Sequence, residues 1–276
     1  MSHPYFPKDL ELQGFIPSAY SRMDILAPFG FAVAVTLLFG SLVIAPKSHS
    51  LSTWSVGTKL VFLWFLVSGI IHIVLEGYFV SHAATLPSRT DWISSLWKEY
   101  AISDSRYMTY DLTVLVIEGI AAFVCGPLCL CTAWLIYHDS SKRHLFQFFV
   151  SLVQFDGLIL YYLTSILDGS KDCDPSPLYY YGYFLGANHF WLVIPALIMM
   201  RSGSYIIFGL AMLQGAQPKK SQKAKSVRIA DHDEEEPVVI RRTATSVQPE
   251  ALAAVIAESI SLQSPRSGLR SSPRRK

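Results

Sequence analysis

Five stretches of this chain run apolar without a polar stripe: residues 25–45, 60–80, 112–137, 145–167 and 178–213, the last continuing past Arg201. Each is about 20 residues or longer, and at about 1.5 Å per residue such a helix crosses a hydrocarbon layer of roughly 30 Å. A helix on the surface of a water-soluble protein sets a charged face opposite its apolar one, and these segments do not. Helix is expected over strand because a segment surrounded by lipid must satisfy its own backbone N–H and C=O groups. The pattern predicts an all-α integral membrane protein. Its core is a five-transmembrane-helix bundle over 23–214, with an N-terminal segment at 1–22 and a disordered tail at 215–276.

Composition agrees and adds a direction. Hydrophobic residues make up 51% of the chain and charged residues only 16%, well under the quarter or so usual for globular domains. Residues 216–276 hold 12 of the 23 Lys and Arg and 7 of the 21 Asp and Glu, so the tail is basic while the rest is slightly acidic. On the tail side of the five spans lie Lys47, Lys59, Lys142, Arg143, Lys219, Lys220, Lys223, Lys225 and Arg228; on the other side lie Lys8, Arg22, Arg89, Lys98, Arg106 and Lys171. The excess of positive charge places the carboxy terminus in the cytoplasm. Basic residues just after Leu213 also favour anionic lipid head groups. The tail is rich in Ser, Pro, Lys, Arg and Glu, as disordered segments are, and without a folded reader its charge does not imply nucleic acid. Residues 1–22 carry Pro4, Pro7, Pro17, Asp9 and Glu11 and do not read as a cleavable signal. Cys125, Cys129 and Cys131 fall within one apolar run and Cys173 in a loop, with neither a disulfide framework nor metal-ligand spacing; no metal and no cofactor is expected.

Polar groups inside the spans change the picture most. His72 and Glu76 lie in the second, Glu118 in the third, Asp156 in the fourth and Asn188 in the fifth. A charge at mid-membrane costs on the order of 2.5–3.5 kcal/mol, so groups at similar depth on four helices are expected to face one shared interior. His72 and Glu76 are four residues apart and share a helix face, a pairing that suits general acid/base chemistry. Asp111 precedes Glu118 by two turns on roughly the same face, and Asn188 shares a face with Trp191, whose ring either packs or meets a cation. Each group alone also fits a structural role; convergence is what points to a site.

The segments GIIHIVLEGYFV at 69–80, SSLWKEYAISDSRYMTYDLTVLVIEGI at 94–120, GPL at 126–128 and ANHFWLVIP at 187–195 resemble the emopamil-binding proteins, which are sterol Δ8–Δ7 isomerases. The resemblance covers roughly residues 20 to 200. It implies a five-helix membrane bundle in the endoplasmic reticulum, with His72, Glu76 and Glu118 as the catalytic set. It further implies Asn188, Trp191, Trp97, Tyr100, Arg106 and Tyr107 as substrate-binding residues, to which the spacing adds Asp111. Two positions depart from the family pattern. Ala121 stands where a threonine is expected, and Asp156-Gly157 reverses an expected Gly-Asp, which moves the carboxylate around the helix.

The resemblance implies protonation of a sterol ring at C9, a carbocation at C8 and loss of a proton from C7. Trp191 would stabilise the cation, and lipophilic cationic amines would inhibit by imitating it. A non-catalytic sterol or amine receptor, or an isomerase or cyclase of another isoprenoid, are the rival readings.

Overall fold

The computed structural model describes residues 3–49 and 54–216. The expected tail therefore lies outside the described residues, apart from its first two. Among the described residues every regular element is helical. Five helical segments are long and apolar enough to cross a membrane: Arg22–Ala45, Val56–Ser88, Leu112–Tyr137, Arg143–Leu167 and Leu178–Gln214. All five expected spans are present, the second reaching eight residues further than its apolar run.

The first span belongs to helix α1 (Arg22–His49). The second comprises α2 (Val56–Ile71), a π-helical turn His72–Glu76, α3 (Gly77–His82) and a 3₁₀ stretch Ala83–Ser88. The link to the third span holds the short helix α4 (Trp92–Tyr100) and a 3₁₀ turn Ser105–Tyr107. The third span is α5 (Leu112–Ile120), a π turn Ala121–Cys125 and α6 (Gly126–Tyr137); the fourth is α7 (Arg143–Leu167). The fifth opens with a π-helical segment Leu178–Ala187 and continues as α8 (Phe190–Ala216).

Side-chain caps explain several of these boundaries. Ser55 accepts a hydrogen bond from the Thr58 N–H, Asp91 from Ser94 and Asp111 from Val114, each satisfying a donor that the first helical turn leaves open. Helix α7 packs along α8, and α2 along α6. Glycine makes the second contact close: a Cβ on Gly69 would stand 2.7 Å from a Leu130 methyl, and one on Gly126 would stand 2.6 Å from Ile73 Cγ1 and 3.3 Å from His72 Cβ. The two π turns therefore meet with little between them.

The N-terminal segment is built into the protein. Tyr5 and Phe15 are buried, the Lys98 ammonium donates to the Ile16 and Arg89 carbonyls, and Ser105 donates to that of Phe6. This ties residues 5–16 to the linker between spans two and three. All four cysteines are free thiols. Outward faces of the spans, such as Leu38, Val116, Phe123 and Leu160, are apolar and exposed, as lipid contact requires.

Candidate active site

The π turn His72–Glu76 carries the centre of the site. Its Nδ1 atom of His72 lies 2.6 Å from Glu76 Oε2, and both side chains are largely buried. On the other side of the ring, Gln154 Nε2 of α7 lies 3.0 Å from His72 Nε2. An amide nitrogen only donates, so Nε2 accepts and the ring proton sits on Nδ1, directed at the Glu76 carboxylate. A π turn inside an α-helix is uncommon and recurs at functional sites. Here it presents His72 toward Gly126, where the missing Cβ admits it.

A second polar string comes from the linker and the third and fifth spans. The Tyr107 hydroxyl donates to Glu118 Oε1 in a short, buried contact. The Asn188 amide donates to the Tyr100 hydroxyl at 2.6 Å and to the Phe184 carbonyl at 2.8 Å, so its partners are a phenol and a backbone oxygen, not a carboxylate. Burial, followed by the charge of Glu118, pushes the Tyr107 phenol well above its ordinary value. Burial also raises Tyr100. Both phenols therefore stay protonated across the neutral range.

Aromatic rings bridge the two strings. Trp97 stacks on Tyr107 at 5.0 Å between centroids, meets Tyr100 edge-on at 5.9 Å and donates its indole N–H to the Leu75 carbonyl. Tyr100 and Tyr107 are 5.2 Å apart. The Trp191 ring lies 6.2 Å from that of His72 and 5.5 Å from Trp64, and its buried N–H has no hydrogen-bond partner among the described residues.

His72, Glu76, Glu118, Trp97, Tyr100, Tyr107, Asn188 and Trp191 thus gather around one aromatic cluster. Arg106 and Asp111 have other partners. The Arg106 guanidinium is locked to the buried Asp104 carboxylate at 2.6 Å, to Thr164 at 3.0 Å and to the Tyr161 carbonyl at 3.2 Å, which fastens the linker to α7. Asp111 spends an oxygen on the Val114 N–H at 2.9 Å as the cap of α5.

Asp156 departs from the sequence expectation of a position in the shared interior: its side chain is exposed on the outer face of α7. The buried face of α7 is Gln147, Val150, Ser151, Gln154, Leu158, Tyr161 and Ser165. Asp156 lies two residues, or about 200°, from Gln154, so only one of them can point inward. Gln154 is the member of the site that charge counting missed, because an amide carries no charge to attract notice. The spacing of the buried face already contained it. Ala121, the other departure, opens the π turn next to Glu118.

Residues 92–202 match the sequence profile described as EXPERA (EXPanded EBP superfamily). A probable 3-beta-hydroxysteroid-Delta(8),Delta(7)-isomerase of Arabidopsis thaliana is 32% identical over 224 residues, covering 81% of this chain and 97% of the relative. The chain belongs to the emopamil-binding protein family. Within that family the guinea-pig (Cavia porcellus) 3-beta-hydroxysteroid-Delta(8),Delta(7)-isomerase is 35% identical, covering 72% of this chain and 87% of the relative. A protoglabretal synthase of Ailanthus altissima is 37% identical, covering 72% and 90%. The family match spans the linker, Glu118, α7 and the Asn188–Trp191 corner; His72 and Glu76 precede the matched profile and fall within the broader likeness to the Arabidopsis relative.

Proposed function

We propose that this protein is a sterol Δ8–Δ7 isomerase that moves a ring double bond by proton addition at C9 and proton removal at C7. The observation that carries the reading is the burial of His72, Glu76 and Glu118, from two spans, around one aromatic cluster. The names of the Arabidopsis and guinea-pig relatives support the substrate class.

In the first step a proton passes from an acidic group of the site to C9, and the π electrons leave a cation at C8. In the second, a C7–H bond gives its electrons to form the C7–C8 double bond, and a basic group of the site takes the proton. Protons balance and no electrons are exchanged with a cofactor. The His72–Glu76 pair and Glu118 divide the donor and acceptor roles. Trp191 presents its ring near His72 and would stabilise the cation, by roughly 2 kcal/mol in a desolvated setting. Exclusion of water keeps the cation from capture as an alcohol. Trp97, Tyr100, Tyr107 and Asn188 hold the wall and orient the sterol, while Arg106 and Asp111 fix the elements that carry them. The aromatic rings that bridge the strings would part to admit a fused-ring lipid.

Lipophilic amines, protonated and apolar, are expected to occupy the same space and inhibit. The membrane is that of the endoplasmic reticulum, with the carboxy terminus in the cytoplasm. A second reading has support of its own: the likeness to protoglabretal synthase is comparable to that to the sterol isomerases, so an isomerase or cyclase of another isoprenoid fits the same proton chemistry. Membranes containing the protein, supplied in turn with an 8-ene sterol and with other isoprenoids, separate the two. A 7-ene sterol product supports the first reading; a rearranged isoprenoid with the sterol untouched would replace it by the second.

A further inference from the structure

A second polar concavity lies at the other end of the bundle. It has a volume of about 260 Å³ and is lined by Ser55, Thr58, Arg143, His144, Gln147 and Arg201, together with Val61 and Tyr205. Thr58 precedes His72 by fourteen residues along the second span, which places the cavity about 20 Å from the acid/base side chains. Nothing in the isomerase chemistry uses it.

Its lining is cationic and short of anions. Among the described residues, Arg143 pairs with Asp139 at 2.7 Å, while the Arg201 guanidinium, in the fifth span, has no carboxylate partner: it donates to the Thr58 hydroxyl at 3.2 Å and lies over the Tyr205 ring. Among the described residues, no carboxylate lines the cavity. Nε2 of His144 accepts from Arg143 Nε at 3.5 Å, its buried Nδ1 has no hydrogen-bond partner among the described residues, and its ring stacks on Tyr205 at 4.6 Å. The N-termini of α2 and α7 both open at this end, adding the positive poles of two long helices. An uncompensated guanidinium beside a second one, hydroxyls and an orphan ring nitrogen form a receptor for a tetrahedral oxyanion.

A second cavity of about 430 Å³ shares Arg201 and Tyr205 with the first and continues past Ser204 to Phe208, an exposed ring on the outer face of α8. A soluble phosphate has no use for that extension, whereas a lipid has acyl chains to lay along it. We propose that the Arg143–Arg201 cavity binds the phosphate of an anionic membrane lipid, with the glycerol and first acyl carbons running over Tyr205 and Phe208. Basic pockets between spans at a membrane face are suited to such head groups.

The test uses the purified full-length chain in neutral detergent and native mass spectrometry with dioctanoyl phosphatidic acid. The expected result is saturable binding of one lipid per chain, with dioctanoyl phosphatidylcholine binding at least about tenfold more weakly because its head group is neutral overall. Arg201→Gln should weaken phosphatidic acid binding by about tenfold or more while sterol turnover stays within about twofold. Arg201→Lys keeps the charge but loses the planar fork, and should bind about threefold or more weakly; it serves if the glutamine variant does not fold. Replacing Lys219, Lys220, Lys223 and Lys225 by glutamine should leave the single site intact. Wild-type affinity in both Arg201 variants, equal binding of the two lipids, or loss of all binding with the tail lysines overturns the proposal. Inorganic phosphate at millimolar concentration should not displace the lipid, and full displacement overturns the lipid assignment.

Discussion

Gln154 donates its amide hydrogen to Nε2 of His72 at 3.0 Å while the opposite ring nitrogen faces Glu76 at 2.6 Å, so the imidazole is held from both edges by side chains of two spans. Among the described residues the buried Gln154 carbonyl oxygen has no partner. Rotating the amide by half a turn would present that oxygen to the ring in place of the nitrogen, so one side chain can accept or donate there. Replacing Gln154 by leucine keeps the volume and removes both options. Turnover by Gln154→Leu is expected to fall about 10- to 100-fold, in line with ~1.5–3 kcal/mol for a hydrogen bond to a charged group. KM should stay near the wild-type value. A changed KM with normal kcat, read from steady-state sterol kinetics, contradicts a positioning role.

Tyr107 and Glu118 make separable predictions. Glu118→Gln should abolish turnover, whereas Tyr107→Phe removes one donor and should cost about tenfold, near 1.4 kcal/mol. The Tyr107 phenol is raised above its ordinary value by burial and by Glu118. A raised phenol keeps its proton as the pH climbs through its usual range, so it does not titrate at neutral or mildly alkaline pH. Any alkaline limb of the pH–rate profile should therefore remain in Tyr107→Phe. Disappearance of that limb in the variant assigns it to Tyr107 and contradicts this account.

Asp156 faces outward on α7. Asp156→Leu should leave turnover within about twofold, and the melting temperature of the detergent-purified protein should hold or rise, since a charge on a lipid-facing surface costs on the order of 2.5–3.5 kcal/mol. Loss of activity in a folded Asp156→Leu protein would put the carboxylate back in the mechanism.

Gly126 is the position where α6 meets the His72 turn most closely. A Cβ there would stand 2.6 Å from Ile73 Cγ1 and 3.3 Å from the Ile73 backbone nitrogen, so the turn has to move. Gly126→Val is expected to destabilise the protein by about 1–3 kcal/mol, the usual cost of overpacking, and to lower kcat in the protein that remains folded. Thermal unfolding alongside turnover measures both; an unchanged melting temperature and kcat mean that the close approach is not needed.

The spans were legible because lipid demands long apolar runs and tolerates few interruptions, and the inward position of His72, Glu76 and Glu118 was legible because charge inside such runs is expensive. Gln154 carries no such cost and was overlooked, although Gln147, Ser151, Leu158, Tyr161 and Ser165 already traced the buried face on which it lies. Asp156 was misread for the complementary reason: charge alone suggested an inward position, and the helical period assigns it an outward one. The π turns at His72–Glu76 and Ala121–Cys125 leave no mark on apolar periodicity, since one extra residue per turn is invisible in a run that is apolar on every side. Arg106 and Asp111 were singled out for their type and neighbourhood, but a hydrogen-bond partner such as Asp104 or a cap on Val114 is settled only by the folded backbone.

Intramembrane proton transfer to and from a sterol ring can be followed by giving an 8-ene sterol to the purified chain in deuterium oxide and analysing the product by mass spectrometry and NMR. The wild-type chain is expected to form a 7-ene sterol carrying one solvent deuterium at C9, and Glu118→Gln is not. Recovery of unchanged 8-ene sterol from folded wild-type protein, or a 7-ene product without deuterium at C9, would contradict it.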